Sequence, residues 1–135
     1  MKSYAVMLLF CLATCLVLAC SKPDHVAVFN SPFNEVFYTV ETFNGSGPVD
    51  PDFTRVYAHL KRDGKSDKKL VMDGGYLDIS KIGWTGPDDV SLCMKSGVTN
   101  SFHSEVTLVI DDKSETIRNH LQENCTATST FAPPG

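Results

Sequence analysis

The chain has 135 residues, 42% of them hydrophobic and 21% charged, with a formal net charge of −4. A chain of that length makes one domain of ordinary size. Its mild acidity excludes binding driven by phosphate neutralisation, so nucleic acid is not an expected partner, and it excludes a basic face lying flat on anionic headgroups.

At the amino terminus Lys2 precedes an uncharged run from Tyr4 to Ala19, the layout of a secretory signal peptide. A membrane-spanning helix needs about 20 apolar residues, and this run ends before Lys22 and Asp24, so cleavage is the expectation. The run closes on Val17-Leu18-Ala19-Cys20, which resembles the lipobox of bacterial lipoproteins. The resemblance implies that the Cys20 thiol receives a diacylglycerol and that cleavage makes Cys20 the new amino terminus. Ordinary secretion or an uncleaved anchor are the alternatives, with Cys20 one more apolar residue like Cys11 and Cys15. A single myristoyl chain binds membranes only marginally, at about 0.8 kcal/mol per buried methylene, so several acyl chains on Cys20 imply lasting attachment to the lipid bilayer. Ser21 after the cysteine implies the outer membrane, facing the periplasm, where an aspartate would imply the inner; the inner membrane is the alternative address.

Removing residues 1–19 leaves 116 residues with eleven Lys and Arg against sixteen Asp and Glu, a formal charge of −5. Residues 20–25 form a lipidated tether, 26–125 the folded domain, and 126–135 a tail with little to bury. With Cys11 and Cys15 gone and Cys20 acylated, Cys93 and Cys125 are left as a pair, which in an exported chain reads as a disulfide. A two-cysteine metal or redox site lacks support: there is no C-x-x-C and no histidine beside Cys93.

Beyond the tether, strands parted by turn clusters indicate a β-rich α+β domain. The expected architecture is a mostly antiparallel sheet or small sandwich of about six or seven strands, with one C-terminal helix packed on it through the disulfide. The first strand, His25 to Phe29, ends at Asn30-Ser31-Pro32. Glu35 to Phe43 has β-branched and aromatic residues on both parities, which predicts a central strand covered on both faces. From Phe53 to Arg62, Val56, Ala58 and Leu60 alternate with Arg55, Tyr57, His59 and Lys61, so one face should be buried and one wet.

Asp63-Gly64 closes that strand, and a loop is expected to run to Lys69. Gly74-Gly75 reads as a tight hairpin between Leu70 to Asp73 and Tyr76 to Trp84, since glycine accepts positive φ. The apolar parity then switches from Leu77 and Ile79 to Ile82 and Trp84, which predicts a bulge near Lys81. Gly86 to Asp89 makes the next turn, Val90 to Met94 the next strand and Phe102 to Ile110 the last. Asp112-Lys113-Ser114-Glu115 has the form of a capping box, and Ile117, Leu121 and Cys125 recur every fourth residue. A helix is therefore expected, its stripe bringing Cys125 onto Cys93. The block from Tyr76 to Cys125 resembles that of small uncharacterised proteobacterial envelope proteins, a likeness that brings no activity with it.

Chemical signals are sparse. His25, His59, His103 and His120 are not spaced as zinc ligands, and there is no G-x-S-x-G nucleophile turn. Asp50, Asp52, Asp88, Asp89, Asp111 and Asp112 fall in turns or at the helix start, where aspartate serves the backbone, and no calcium-loop grammar is present. No metal or other cofactor is implied. Lys61, Arg62, Lys65, Lys68 and Lys69 crowd one hairpin, either as a solvated loop or as a docking tip for an anionic partner. Trp84 beside a Gly-Pro turn is a core or corner residue, or else an exposed binding anchor. The functional expectation is a non-catalytic binding module, an inhibitor, immunity or envelope-accessory lipoprotein meeting a protein or cell-wall partner. A small periplasmic hydrolase and a structural spacer are the rivals.

Overall fold

Alternation along Phe53 to Arg62 sets the frame of the molecule, because the inward residues Thr54, Val56, Ala58 and Leu60 are all fully buried. The computed structural model describes residues 22–45, 52–123 and 125. The expected signal peptide, Cys20 and the tail 126–135 lie outside the described residues. The strands are β1 (His25–Asn30), β2 (Val36–Phe43), β3 (Phe53–Arg62), β4 (Lys65–Leu77), β5 (Gly83–Gly86), β6 (Asp89–Phe102), β7 (Glu105–Ile110) and β8 (Lys113–Glu123). They form one mixed sheet in the order β1-β2-β3-β4-β6-β8-β7, with β5 also paired to β6. All pairs are antiparallel except β6 with β8.

No α-helix occurs among the described residues, and the segment expected to be the C-terminal helix is β8. A spacing of four is even, so Ile117 and Leu121 share a strand face as readily as a helix face. The inward residue between them is a polar one, Asn119, which hides the alternation. The apparent capping box belongs to a hairpin turn instead: Asp111, at φ 56, joins β7 to β8 with Asp112. Cys125 therefore reaches Cys93 from just past the end of a neighbouring strand. Cys93 stands opposite Gln122 in the parallel ladder, and the disulfide Cys93–Cys125 spans 6.1 Å between Cα atoms.

Four smaller expectations also change. Asp63 and Gly64 both take positive φ, 51 and 75, and make a two-residue turn, so pairing resumes at once with Arg62 opposite Lys65 and no loop runs to Lys69. Gly74 and Gly75, at φ 94 and 73, lie inside β4 and do not form a hairpin. They permit an irregular, close approach of β6: a Cβ on Gly74 would meet the Asn100 backbone nitrogen at 2.8 Å. The parity switch near Lys81 is a 3₁₀ turn, Ile79–Lys81, in place of a bulge. The expected strand from Phe102 to Ile110 is divided at His103-Ser104 into the end of β6 and all of β7.

The most covered stretch is Val90 to Met94 of β6, flanked by β5 and β8, where every residue is buried. β2, expected to be central, is second from the edge, with its inward face buried and its outward face half-buried. The β7–β8 hairpin folds back over the β3–β4 hairpin, so that Val106, Leu108, Ile110 and Ile117 join Val56, Ala58 and Leu60 in one core. Polar ties run along the seam: the Val109 amide donates to the Asp67 carboxylate at 2.8 Å and the His103 amide to the Val71 carbonyl at 2.8 Å. Inside, the Tyr38 hydroxyl donates to Asn119 Oδ1 at 2.5 Å, while Asn119 Nδ2 donates to the His103 carbonyl at 3.0 Å. Burial pushes the Tyr38 hydroxyl pKa far above its ordinary value, so the group stays a donor.

Two surface carboxylates fasten strand ends. Asp78 caps the 3₁₀ turn through the Ser80 hydroxyl and amide, and Asp89, which begins β6, accepts from His120 at 2.9 Å and Arg118 at 3.0 Å on β8. Both have pKa values held below the ordinary carboxylate range, Asp78 chiefly by the Ser80 hydroxyl and Asp89 chiefly by His120 and then Arg118.

Reducing the Cys93–Cys125 bond, or replacing Cys93 by Ala, should lower stability by about 3 to 4 kcal/mol, the loop-closure value for a separation of 32 residues. Thermal unfolding with and without reductant checks this, and an unchanged Tm would remove the bond from the stability account. Tyr38→Phe should cost about 1–3 kcal/mol by leaving Asn119 Oδ1 buried without a donor. Urea unfolding of Tyr38→Phe, Asn119→Leu and the double variant should show sub-additive losses. Because the Asp78 and Asp89 pKa values are depressed on folding, their contributions are present above the unfolded value of about 3.9 and fade as pH falls through the folded values. The urea midpoint should therefore drop below about pH 4, with a shallower drop in Asp89→Asn.

Candidate functional site

The residues singled out by charge and aromaticity do not converge on one place. Trp84 on β5 is 4% exposed and packs edge-on against Tyr38, with ring centroids 5.5 Å apart. It is a core residue whose Nε1 finds no partner among the described residues. With Ile82 and Gly83 it lines a cavity of about 320 Å³ against Val28, Phe29, Asn30 and Pro32. Lys69 lies on the other parity of β4 from Lys68, beside a cavity of about 360 Å³ lined also by Leu70, by His103 of the β6–β7 turn and by Glu105, Val106 and Thr107 of β7.

The remaining cations share the β3–β4 hairpin but divide by face. Arg62 turns inward and is engaged twice, by Glu35 at 2.8 Å and Glu115 at 3.6 Å. Lys65 meets Asp111 at 2.5 Å. Lys61, Arg62 and Lys65, with Glu35 and Asp63, surround an open cavity of about 500 Å³ at the hairpin tip. Lys61 and Lys68 point outward, and among the described residues neither has a carboxylate within ion-pair distance.

The outward face of β2 to β4 is what the sequence reading missed. Cross-strand partners share a face, and the register sets Phe37 opposite His59, Thr39 opposite Tyr57, Glu41 opposite Arg55 and Phe43 opposite Phe53. Phe37 and His59 stack with centroids 4.6 Å apart, and Phe43 and Phe53 with centroids 4.7 Å apart. Each cation of the face lies over a ring: Lys61 over Phe37 at 5.7 Å, Lys68 over Tyr57 at 4.0 Å, and Arg55 over Phe43 at 5.2 Å and Phe53 at 5.7 Å. Arg55 is also paired to Asp73 at 3.3 Å. His59, whose Nε2 lies 2.7 Å from the Thr39 hydroxyl, has its pKa lowered by burial first and then by Lys68 and Lys61. Alternate residues from Phe37 to Phe43 and from Phe53 to Lys61 already spelled out this face; the missing signal was the pairing register between the two strands.

One His-Asp contact exists elsewhere. Asp89 and His120, with Ser91 opposite His120 in the parallel ladder, hold the residue types of a hydrolytic triad. The carboxylate is shared with Arg118, Ser91 is buried, and none of the cavities at the hairpin tip, beside Trp84, beside Lys69 or beside the disulfide is lined by these residues. Among the described residues no group of three or more His, Cys, Asp or Glu is placed to hold a metal ion. Set against known proteins, the chain matches no family model, no curated protein and no solved structure.

Proposed function

We propose that this chain is a lipoprotein, anchored to the outer membrane through acylated Cys20 and facing the periplasm, that acts without catalysis as a binding module. Its docking surface is the outward face of β2 to β4, and its partner is an envelope protein or a cell-wall component, in an inhibitory, immunity or accessory role. The observation that supports this most is the pair Lys61 and Lys68, laid over Phe37 and Tyr57 with no carboxylate in ion-pair distance among the described residues. Uncompensated charge on a chain of net −4 favours an anionic partner. A small periplasmic hydrolase is the second reading, favoured only by the Asp89–His120 contact beside Ser91.

Captured from a periplasmic extract, a partner should be retained at least about tenfold less by Lys61→Glu/Lys68→Glu at unchanged Tm, a loss of roughly 1.4 kcal/mol or more. Equal retention by both proteins would remove the face from the proposal. Cys20→Ala should lose palmitate labelling and leave the membrane fraction; continued sedimentation with membranes would overturn the anchor.

A further inference from the structure

The Cys93–Cys125 bond joins two sulfurs in unlike surroundings. Cys93 is 3% exposed, within the Val90 to Met94 stretch of β6 where every residue is buried, whereas Cys125 lies past the end of β8 and is only half-buried. Both line one cavity of about 260 Å³, with Asp78, Lys81, Met94 and Lys95 around it. That volume is several times the roughly 30 Å³ share of one water molecule, so it has room for a thiol sulfur and the carbons next to it.

We infer that Cys125 is a thiolation site, the sulfur at which a low-molecular-weight monothiol adds to the folded protein. Exchange needs a thiolate in line with the S–S bond, approaching the attacked sulfur from the side away from its partner. At Cys93 that path runs through buried residues of β6 and its neighbours, and at Cys125 it does not. The incoming thiolate bonds to Cys125 Sγ, the Cys125–Cys93 bond breaks, and its electron pair leaves on Cys93, which then takes a proton from water. Cys93 is thereby reduced and the incoming sulfur oxidised to the disulfide level. Return attack by the Cys93 thiolate on Cys125 expels the added thiol, so the modification is reversible.

Charge around the cavity assists the step. Lys81 Nζ donates to the Cys125 carbonyl at 2.9 Å and lies 3.6 Å from the Asp78 carboxylate. Lys95 Nζ lies 5.7 Å over the Tyr76 ring, with no carboxylate in ion-pair distance among the described residues. Glu123, opposite Met94 in the parallel ladder, does not line the cavity. Two ammonium groups against one carboxylate stabilise the incoming thiolate and the charge left on Cys93. The domain need not unfold, because β8 keeps Ile117 in the core and Asn119 bonded to Tyr38 when Cys125 comes away from β6.

The test incubates the intact, oxidised protein with reduced glutathione, quenches in acid at early times and maps the adducts by peptide mass spectrometry. The mixed disulfide should sit on Cys125 at least about tenfold more than on Cys93. Its rate of formation should stay within about twofold in Tyr38→Phe, whereas exchange through the unfolded chain would speed up about fivefold or more in step with the lost stability. Adducts divided evenly between the two sulfurs, a rate that rises in Tyr38→Phe, or adducts that form only when urea is added overturns the site.

Discussion

The fold depends on β8 lying parallel to β6. β7 joins the hydrogen-bonded ladder only through β8, and an isolated two-stranded hairpin is marginal in water, so what β8 touches adds to the packing of Val106, Leu108 and Ile110 on β3 and β4 in securing the β7–β8 unit. Three kinds of contact do this at different depths. Ile117 enters the core from the half of β8 that pairs with β7. Asn119, opposite Val90, ties β8 to Tyr38 of β2 and to the His103 carbonyl. Beyond the strand end, Cys125 closes the covalent link to Cys93. The disulfide acts on the unfolded chain by shortening its free loop, whereas the Asn119 network acts on the folded state by leaving no buried amide atom unsatisfied.

On the other half of the sheet the two faces have separate tasks. The inward parity of β2 and β3 supplies Val36, Tyr38, Val40, Val56, Ala58 and Leu60 to the core, while the outward parity is aromatic and charged. Cross-strand aromatic pairs and cations over rings each contribute a few tenths to about 1 kcal/mol, enough to keep the face ordered without covering it. Stability alone would be served equally by compensated ion pairs, as Arg55 with Asp73 shows on the same face. The proposed docking reading of this face rests on Lys61 and Lys68, which have no carboxylate in ion-pair distance among the described residues.

The sequence displayed this outward face only in part. Strand β3 was readable to the residue, because its alternation is strict and Asp63-Gly64 is an unambiguous turn. The inward faces of β6 and β7, with Val90, Leu92, Val106 and Leu108, were readable for the same reason. β8 was not, since a polar Asn119 stands on its inward parity and the remaining apolar residues are four apart. The His103-Ser104 connection carries neither glycine nor proline, so nothing local announces that the chain reverses there. Gly74-Gly75 carries the right residues for a turn, yet the close passage of β6 past Asn100 is a long-range demand that a local window does not contain. The cation cluster was visible as composition, but the ion pairs of Arg62 and Lys65, which Lys61 and Lys68 lack among the described residues, depend on Glu35, Glu115 and Asp111, all distant in sequence.

Register also gives the domain a polarity along its strands. His25, Thr42 and Thr54 share one end of the sheet, and Asn30, Phe37 and His59 share the other. At the first end Asp24 accepts from the Asn44 amide at 2.7 Å and Asp52 from the Gly45 amide at 2.8 Å. The far end carries Lys61 and the hairpin tip. β1 advances about 20 Å over its length, well beyond a screening length of roughly 8 Å, so each end meets its surroundings separately. With the proposed anchoring through Cys20, five positions before His25, the end of the sheet that holds His25, Thr42 and Thr54 would stand nearer the bilayer than Lys61.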